Sequence, residues 1–255
     1  MAKLSTVIMC FNEEDKIAKC IQSAIGISDE VLILDSYSTD STVNIAEELG
    51  ARVEFHKFMG YIKQRELSIS MAKNDWVLAL DADEFLSEAL ANEIKEVIEN
   101  PNVDAYNINR LNSINKVFMH HGPWFPNRIL RLFNKKKVYC GGNPPHDRIC
   151  PIDSAKVKNL KSVLFHHSDE NLQDRINTIN NHSSQAAKHR FSQGKKSNYL
   201  KLFIKPLWKF INGYFLKLGM LDGFYGFQIA ITSAQYVFFR ESKIIELWKY
   251  ENPKE

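Results

Sequence analysis

Cysteine is scarce in this 255-residue chain and poorly placed for the usual uses of thiols. Cys10, Cys20, Cys140 and Cys150 fall in two pairs, each ten residues apart, with no CxxC spacing and no clustered histidine. That excludes a zinc site and a dense disulfide framework, and it points to a reducing compartment. Charge of one sign is lacking too. The 33 Lys and Arg against 30 Asp and Glu leave +3, too little for nucleic acid to be the main partner. Long apolar runs are absent. The best, "GFYGFQIAITSAQYVFF" over 223–239, is short and carries Gln, Thr, Ser and Gln, so it is not read as a membrane span. The opening "MAKLSTVIMCFNEED" turns acidic too early for a signal peptide. Neither GxxxxGKS/T nor GxGxxG occurs, so phosphate is not gripped by a P-loop or a dinucleotide-type turn. The expected location is the cytoplasm.

What is present suits a soluble globular protein: 44% hydrophobic and 25% charged residues, enough to build an ordinary core. The length allows one large domain or a domain with an appendage. The first hundred residues alternate. "LSTVIMCF", "EVLILDS", "ARVEFHKF" and "DWVLALDAD" read as strands. Between and after them, "EEDKIAKCIQSAIG", "STVNIAEELG", "YIKQRELSISMAKN" and "LSEALANEIKEVIEN" read as helices, with Asn12 a cap for the first. Such alternation implies an α/β fold with a parallel sheet and helices on both faces. Ligands then bind beyond the carboxyl ends of the strands. The polar segments "CFNEED", "DSYSTDST" and "DADE" all sit there. From 103 the pattern becomes α+β, and from 170 mostly helical, with "SQGKKSN" at 192–198 as the boundary of a C-terminal appendage.

The acids at the end of the fourth strand raise the sharpest question. "LALDADEFLSEAL" sets Asp81, Asp83 and Glu84 directly after an apolar run. Burying unpaired carboxylates is costly, so the cluster needs water, cationic partners or a metal ion. On a continuing strand Asp81 and Asp83 share one side, with Ala82 turned away. Oxygen donors of that kind suit Mg²⁺ or Mn²⁺ shared with a diphosphate. The plain alternative is an acidic loop capping the helix at 87, for which Glu84 or Ser87 suffices.

The segments "STVIMCFNEEDKIAKCIQS", "VLILDSYSTDST" and "KQRELSISMAKNDWVLALDADE" resemble, in order and spacing, the nucleotide-binding half of family-2 glycosyltransferases. These have the GT-A fold: a Rossmann-like, mostly parallel half and a mixed acceptor half. "GPWFPNRILRLFNKKK", "NPPHDRI" and "GMLDGFYGFQIA" look like the branch that adds a β-linked hexose to the core of lipopolysaccharide or lipooligosaccharide. The resemblance covers nearly the whole chain. It implies a GT-A domain over 1–192, with nucleotide-sugar half 1–102 and acceptor half 103–192, and a helical region over 193–255.

What the resemblance implies for residues is specific. Phe11, Asn12, Glu13 and Glu14, with Asp35 and Asp40, cradle the nucleotide; Asp40 can equally be a helix cap. Lys63 and Arg65 meet the diphosphate, hold Asp81 in place, or face solvent. Asp81 binds ribose or the donor sugar, and Asp83 holds the metal, Mn²⁺ or Mg²⁺. His167, or its neighbour His166, completes the metal shell or is a buried histidine bonded to backbone. Asp147 is the base, although the branch usually reads His-Glu where this chain has His146-Asp147, one methylene shorter; it can instead pair with Arg148 or Arg128. Trp124 stacks on an acceptor sugar, with Arg128 beside it, or is packing. The expected reaction is inverting, metal-dependent transfer of a hexose, glucose from UDP-glucose, to a glycan or lipid-linked saccharide.

The tail "NYLKLFIKPLWKFINGYFLKLG" places Lys201, Lys205 and Lys209 at four-residue spacing beside a wide apolar face. Such a helix can lie on an anionic membrane surface, here the cytoplasmic face of the inner membrane. Inside a helix Pro206 would kink or end it, so either two shorter helices meet there or Pro206 opens the second. Two rivals remain. A sugar-1-phosphate nucleotidyltransferase needs a glycine-rich basic N-terminal loop, which "CFNEED" is not. An inactive membrane-associated binding protein would have lost its acids, which are present.

Overall fold

The computed structural model describes residues 2–143 and 146–251, with only the backbone described for Asn143 and His146. The elements run β1 (Leu4–Cys10), α1 (Ile17–Ile25), β2 (Glu30–Asp35), α2 (Thr42–Glu48), β3 (Arg52–Phe55), α3 (Tyr61–Met71), β4 (Trp76–Asp81), β5 (Glu84–Leu86) and α4 (Glu88–Glu99). There follow β6 (Ala105–Ile114), β7 (Val117–Phe118), β8 (Arg128–Asn134), β9 (Val138–Asn143), β10 (His146–Pro151) and β11 (Val157–Asp169). The chain ends in α5 (Leu172–Ser192), α6 (Tyr199–Ile211) and α7 (Gly223–Tyr250). By spatial clustering there are two compact units. The first holds the chain up to Arg110, Asn127–Gly142 and His146–His166. The second holds Leu111–Pro126 and the chain from His167.

The main sheet has the order β3-β2-β1-β4-β8-β6-β11-β5, with β7 paired to β6. β1 runs parallel to β2 and β4, and β2 parallel to β3. β8 lies antiparallel to β4 and β6, and β5 antiparallel to β11. The sequence explains the parallel part. β1, β2 and β4 are almost continuously apolar and buried, as strands covered on both faces must be. Ile17, Ile21 and Ala24 of α1 and Leu90, Ile94 and Ile98 of α4 join one core cluster with Ile8, Ile33 and Leu80. Ser87 caps α4 by accepting from the Leu90 N–H, as the capping alternative supposed. β9 and β10 form a separate two-stranded sheet.

In the second unit α5, α6 and α7 pack together. Two glycines permit the close approach at the start of α7. A Cβ on Gly226 would lie 1.9 Å from the Gly219 carbonyl oxygen, and one on Gly219 would lie 2.7 Å from that of Gly213. Asp222 accepts from the His121 backbone N–H at 2.8 Å and meets its ring Nδ1 at 2.7 Å. The "GMLDGFYGF" segment therefore has a structural task.

Three local expectations are corrected. β4 stops at Asp81, and residues 82–83 form a turn, so strand alternation does not put Asp81 and Asp83 on one side. Asn12 does not cap α1; Lys16 holds that position without a side-chain cap, and Asn12 adopts φ 53° instead. Pro206 neither splits nor opens a helix, because α6 continues through it. The loss of one backbone N–H there is tolerated in a helix that packs against α7. Among the described residues no helix is long and apolar enough to cross a membrane, and the four cysteines are free thiols.

Candidate active site

Register brings the candidate loops together. Cys10 at the end of β1 pairs with Asp35 at the end of β2, and Met9 pairs with Asp81 at the end of β4. The segments after these strands therefore leave the same edge of the parallel sheet. The loops after β1 and β2 are tied by their own polar side chains. Asn12 Oδ1 accepts from the Thr39 N–H at 2.8 Å, and the Asn12 N–H donates to Ser38 Oγ at 2.8 Å. The Glu13 N–H donates to Thr42 Oγ1, and Glu14 accepts from the Ser41 N–H at 3.0 Å. Asp35, fully buried, accepts from the backbone and hydroxyl of Ser38. Asp40 accepts from the Thr42 N–H and hydroxyl and from the Glu14 N–H. It thus holds Thr42, the first residue of α2, while Ser41 occupies the cap position itself without a side-chain cap bond. Phe11 remains exposed at the tip of the β1 loop.

The three acids after β4 meet three different fates. Asp81 accepts from Arg65 on α3 and from Arg131 on β8. Glu84, fully buried, accepts from Arg131 at 2.7 Å and Arg110 at 3.0 Å, and also takes the Asp81 N–H at 3.0 Å. Burial alone would raise the Asp81 carboxyl, but the charges of Arg131, Arg65 and Arg110 outweigh it and hold Asp81 far below the ordinary carboxylate range. Arg131 is held charged in the same way: burial opposes its charge, and Asp81 and Glu84 more than restore it. Asp83 stands apart. Its carboxylate meets His166 Nε2 at 3.1 Å, and among the described residues it has no lysine or arginine within ion-pair distance. Antiparallel pairing of β11 with β5, which sets His166 opposite Glu84, delivers that imidazole.

Electrostatics at this edge stay negative. Burial raises the Glu13 carboxyl; Lys16 works against it, while the charges of Asp83 and Asp40 add to the rise. Carboxylates that resist one another's ionisation favour a cation between them. Among the described residues no group of three or more His, Cys, Asp or Glu side chains is arranged as a metal cage. Asp83 offers one carboxylate of the kind that Mg²⁺ or Mn²⁺ takes alongside phosphate and water, and His166 a nitrogen that suits Mn²⁺ better than Mg²⁺.

Arg65 does more than hold Asp81. Its Nε donates to Asp147 Oδ2 at 3.0 Å, so one guanidinium links the end of β4 to β10. Asp147 pairs with this arginine, not with Arg148 or Arg128. Its motif neighbours Pro144, Pro145 and the His146 side chain lie outside the described residues. Lys63 is exposed on α3, and Arg128 is exposed at the start of β8. His167 belongs to the second unit, where its Nδ1 lies 3.0 Å from Ser113 Oγ and its ring stacks on Phe118. Of the two histidines, His166 is the one at Asp83. Trp124, also in the second unit, lies under the Arg175 guanidinium, 4.9 Å from the ring centre.

The profile of Glycosyl transferase family 2 matches residues 5–164, more than half of the chain. The chain belongs to glycosyl transferase family 2. An uncharacterized glycosyltransferase of Rickettsia typhi (strain ATCC VR-144 / Wilmington) is 35% identical over 97% of this chain and 88% of its own length. The lipopolysaccharide core biosynthesis glycosyltransferase LpsC of Rhizobium meliloti (strain 1021) is 27% identical over 95% of this chain and 92% of its own. The crystal structure of S. aureus TarS 1-349 aligns with 98% of this chain and 92% of that one, at 14% identity and a TM-score of 0.47. The expected fold class is the observed one: this family-2 glycosyltransferase has a parallel Rossmann-like half, a mixed continuation and a C-terminal helical region.

Sequence reasoning missed Arg131 and Arg110. The signal was available in "RILRLF", where an arginine interrupts an apolar strand; a buried arginine demands an acid, and the acids were already in view.

Proposed function

We propose that this family-2 enzyme transfers a hexose, glucose from UDP-glucose, with inversion, to a saccharide acceptor of the lipopolysaccharide-core type. The carrying observation is the different treatment of three adjacent acids. Asp81 and Glu84 are neutralised by arginines, whereas Asp83, among the described residues, meets an imidazole and no lysine or arginine, beside other negative charge. Asp83 and His166 would hold Mg²⁺ or Mn²⁺, which supplies Lewis-acid neutralisation of the leaving diphosphate.

The chain's own residues do the rest. Asp35 and Asn12 hold the β1 and β2 loops in shape, so that Phe11 and the loop backbone meet the nucleoside. Asp81, oriented by two arginines, accepts from hydroxyls of the ribose or the donor sugar. Asp147 takes the proton of the attacking hydroxyl late in the reaction, when an oxocarbenium-like centre has made that oxygen acidic. Arg65 positions Asp81 and Asp147 against one planar group. Trp124 offers a ring face to the acceptor and Arg128 a charge. The name borne by LpsC supports the acceptor class.

The second unit supports peripheral contact with an anionic membrane. No residue of α6 is fully buried, and Phe203, Leu207, Trp208, Leu216, Leu221 and Phe224 are exposed together with Lys201 and Lys217. An apolar surface flanked by lysines is complementary to anionic headgroups over acyl chains.

The test is UDP-glucose hydrolysis and UDP binding, each with and without Mn²⁺. Asp83→Ala is expected to remove the metal-dependent part of both, lowering hydrolysis by about 10²-fold or more. Full metal-dependent turnover in that variant overturns the reading.

A further inference from the structure

A cavity of about 380 Å³ in the second unit lies outside everything assigned above except Trp124. Its walls include Trp124, Arg175 of α5, Lys209 of α6, and Ser233, Tyr236 and Arg240 of α7. That volume falls within the range of small-molecule sites. Three of these side chains are cationic, and the local acids do not match them. Asp169 faces Arg175 at 3.6 Å. Glu241 is shared among Arg240 at 2.8 Å, Lys205 at 3.0 Å and Arg190 at 3.9 Å, and also accepts from Ser197. Lys209 has no acid within ion-pair distance among the described residues, and Arg240 Nε is buried without a hydrogen-bond partner.

The cations are held against their preference. Burial, then the charges of Lys217 and Arg240, push the Lys209 ammonium down. Burial likewise pushes the Arg175 guanidinium down despite Asp169. An oxyanion entering the cavity would relieve the repulsion among these cations, and charge-assisted hydrogen bonds to it are the strong ones. Two aromatic rings stand in the same wall. Arg175 lies over Trp124 at 4.9 Å, and Arg240 over Tyr236 at 5.6 Å. Rings beside a basic cluster suit a ligand with both a sugar face and a negative group.

We infer that this cavity binds a saccharide carrying a phosphate or carboxylate, with Lys209, Arg240 and Arg175 on the anion and Trp124 against the ring. The inference deepens the acceptor reading, on which it rests for its biological ligand: the acceptor is an anionic sugar, not a neutral one. A phosphate could also come from a lipid headgroup, so the test separates the two sources.

Calorimetric titrations of the full chain use glucose 6-phosphate, inorganic phosphate, glucose, and phosphatidylglycerol vesicles. Glucose 6-phosphate is expected to bind one to one, at least tenfold more tightly than glucose and more tightly than inorganic phosphate. Lys209→Gln is expected to weaken it about tenfold and Lys209→Arg to restore it, which separates lost charge from lost folding. Trp124→Leu is expected to bring glucose 6-phosphate down to the level of inorganic phosphate. Equal binding of glucose and glucose 6-phosphate, or Lys209→Gln equal to the parent, overturns the inference. So does Lys209-dependent binding to vesicles without binding of the sugar phosphate, which assigns the cavity to a headgroup. UDP-glucose hydrolysis is measured on the same samples and is expected to be unchanged in Lys209→Gln. Its absence from the parent protein, with anion binding intact, would count against the donor reading alone.

Discussion

Replacing Arg131 by methionine removes one guanidinium from two carboxylates at once. Arg131 is 9% exposed and its partner Glu84 is fully buried, so water cannot replace the lost charge. Breaking a buried ion pair from one side costs about 3–5 kcal/mol, because the remaining partner stays buried. Here each acid keeps a second donor. Glu84 retains Arg110 at 3.0 Å and the Asp81 N–H, and Asp81 retains Arg65. The loss is therefore expected near the lower end, about 3 kcal/mol. For a chain of this size that is roughly 6–12 °C in the unfolding midpoint. The assay is urea denaturation at pH 7 and 25 °C followed by far-UV circular dichroism. Adding Glu84→Gln to the same chain removes the carboxylate left with one guanidinium instead of two, and the double variant is expected to recover part of the loss. The pH dependence has a definite sign. Asp81 ionises in the folded state well below its ordinary value of 3.8, so its contribution is complete above that value. It is lost as pH falls below that value, and Arg131→Met shortens this acid limb. A loss under about 1 kcal/mol, or a double variant no more stable than the single one, would refute the claim that Arg131 neutralises these acids.

Two further outcomes bear on the chemistry and the surface. Asp147→Asn keeps a hydrogen-bonding side chain beside Arg65 but cannot take a proton; sugar transfer to acceptor is expected to fall by about 10²–10⁴-fold with donor KM little changed, and unchanged turnover measured by radiolabelled transfer removes Asp147 from the reaction. In vesicle co-sedimentation the protein is expected to partition onto phosphatidylglycerol more than onto phosphatidylcholine, with the difference shrinking in high salt. Phe203→Glu with Leu207→Glu should abolish that partition, and retention by the double variant refutes the docking surface.

The alternation of strand and helix up to 100 was legible because it is local. Apolar runs bounded by polar segments state which backbone is buried, and three strand ends carrying acids state where a parallel sheet keeps its ligands. The segment 192–198, expected as the boundary of an appendage, is only the connection between α5 and α6, which cluster in one unit with α7. The acids were visible, and so was the demand that something neutralise them.

What answered that demand was not local. Arg65, Arg110 and Arg131 come from α3, β6 and β8, and His166 from β11. The turn at 82–83 separates two acids that strand alternation would have paired. Sequence by itself determined the family, through motifs that resemble it in order and spacing, and the parallel half and the acidic edge, through local periodicity and composition. Tertiary structure alone decided that Asp81 and Glu84 belong to arginines while Asp83 meets an imidazole. It did so because the charge on each carboxylate is balanced by groups far away in the chain, which only the folded sheet brings within bonding distance.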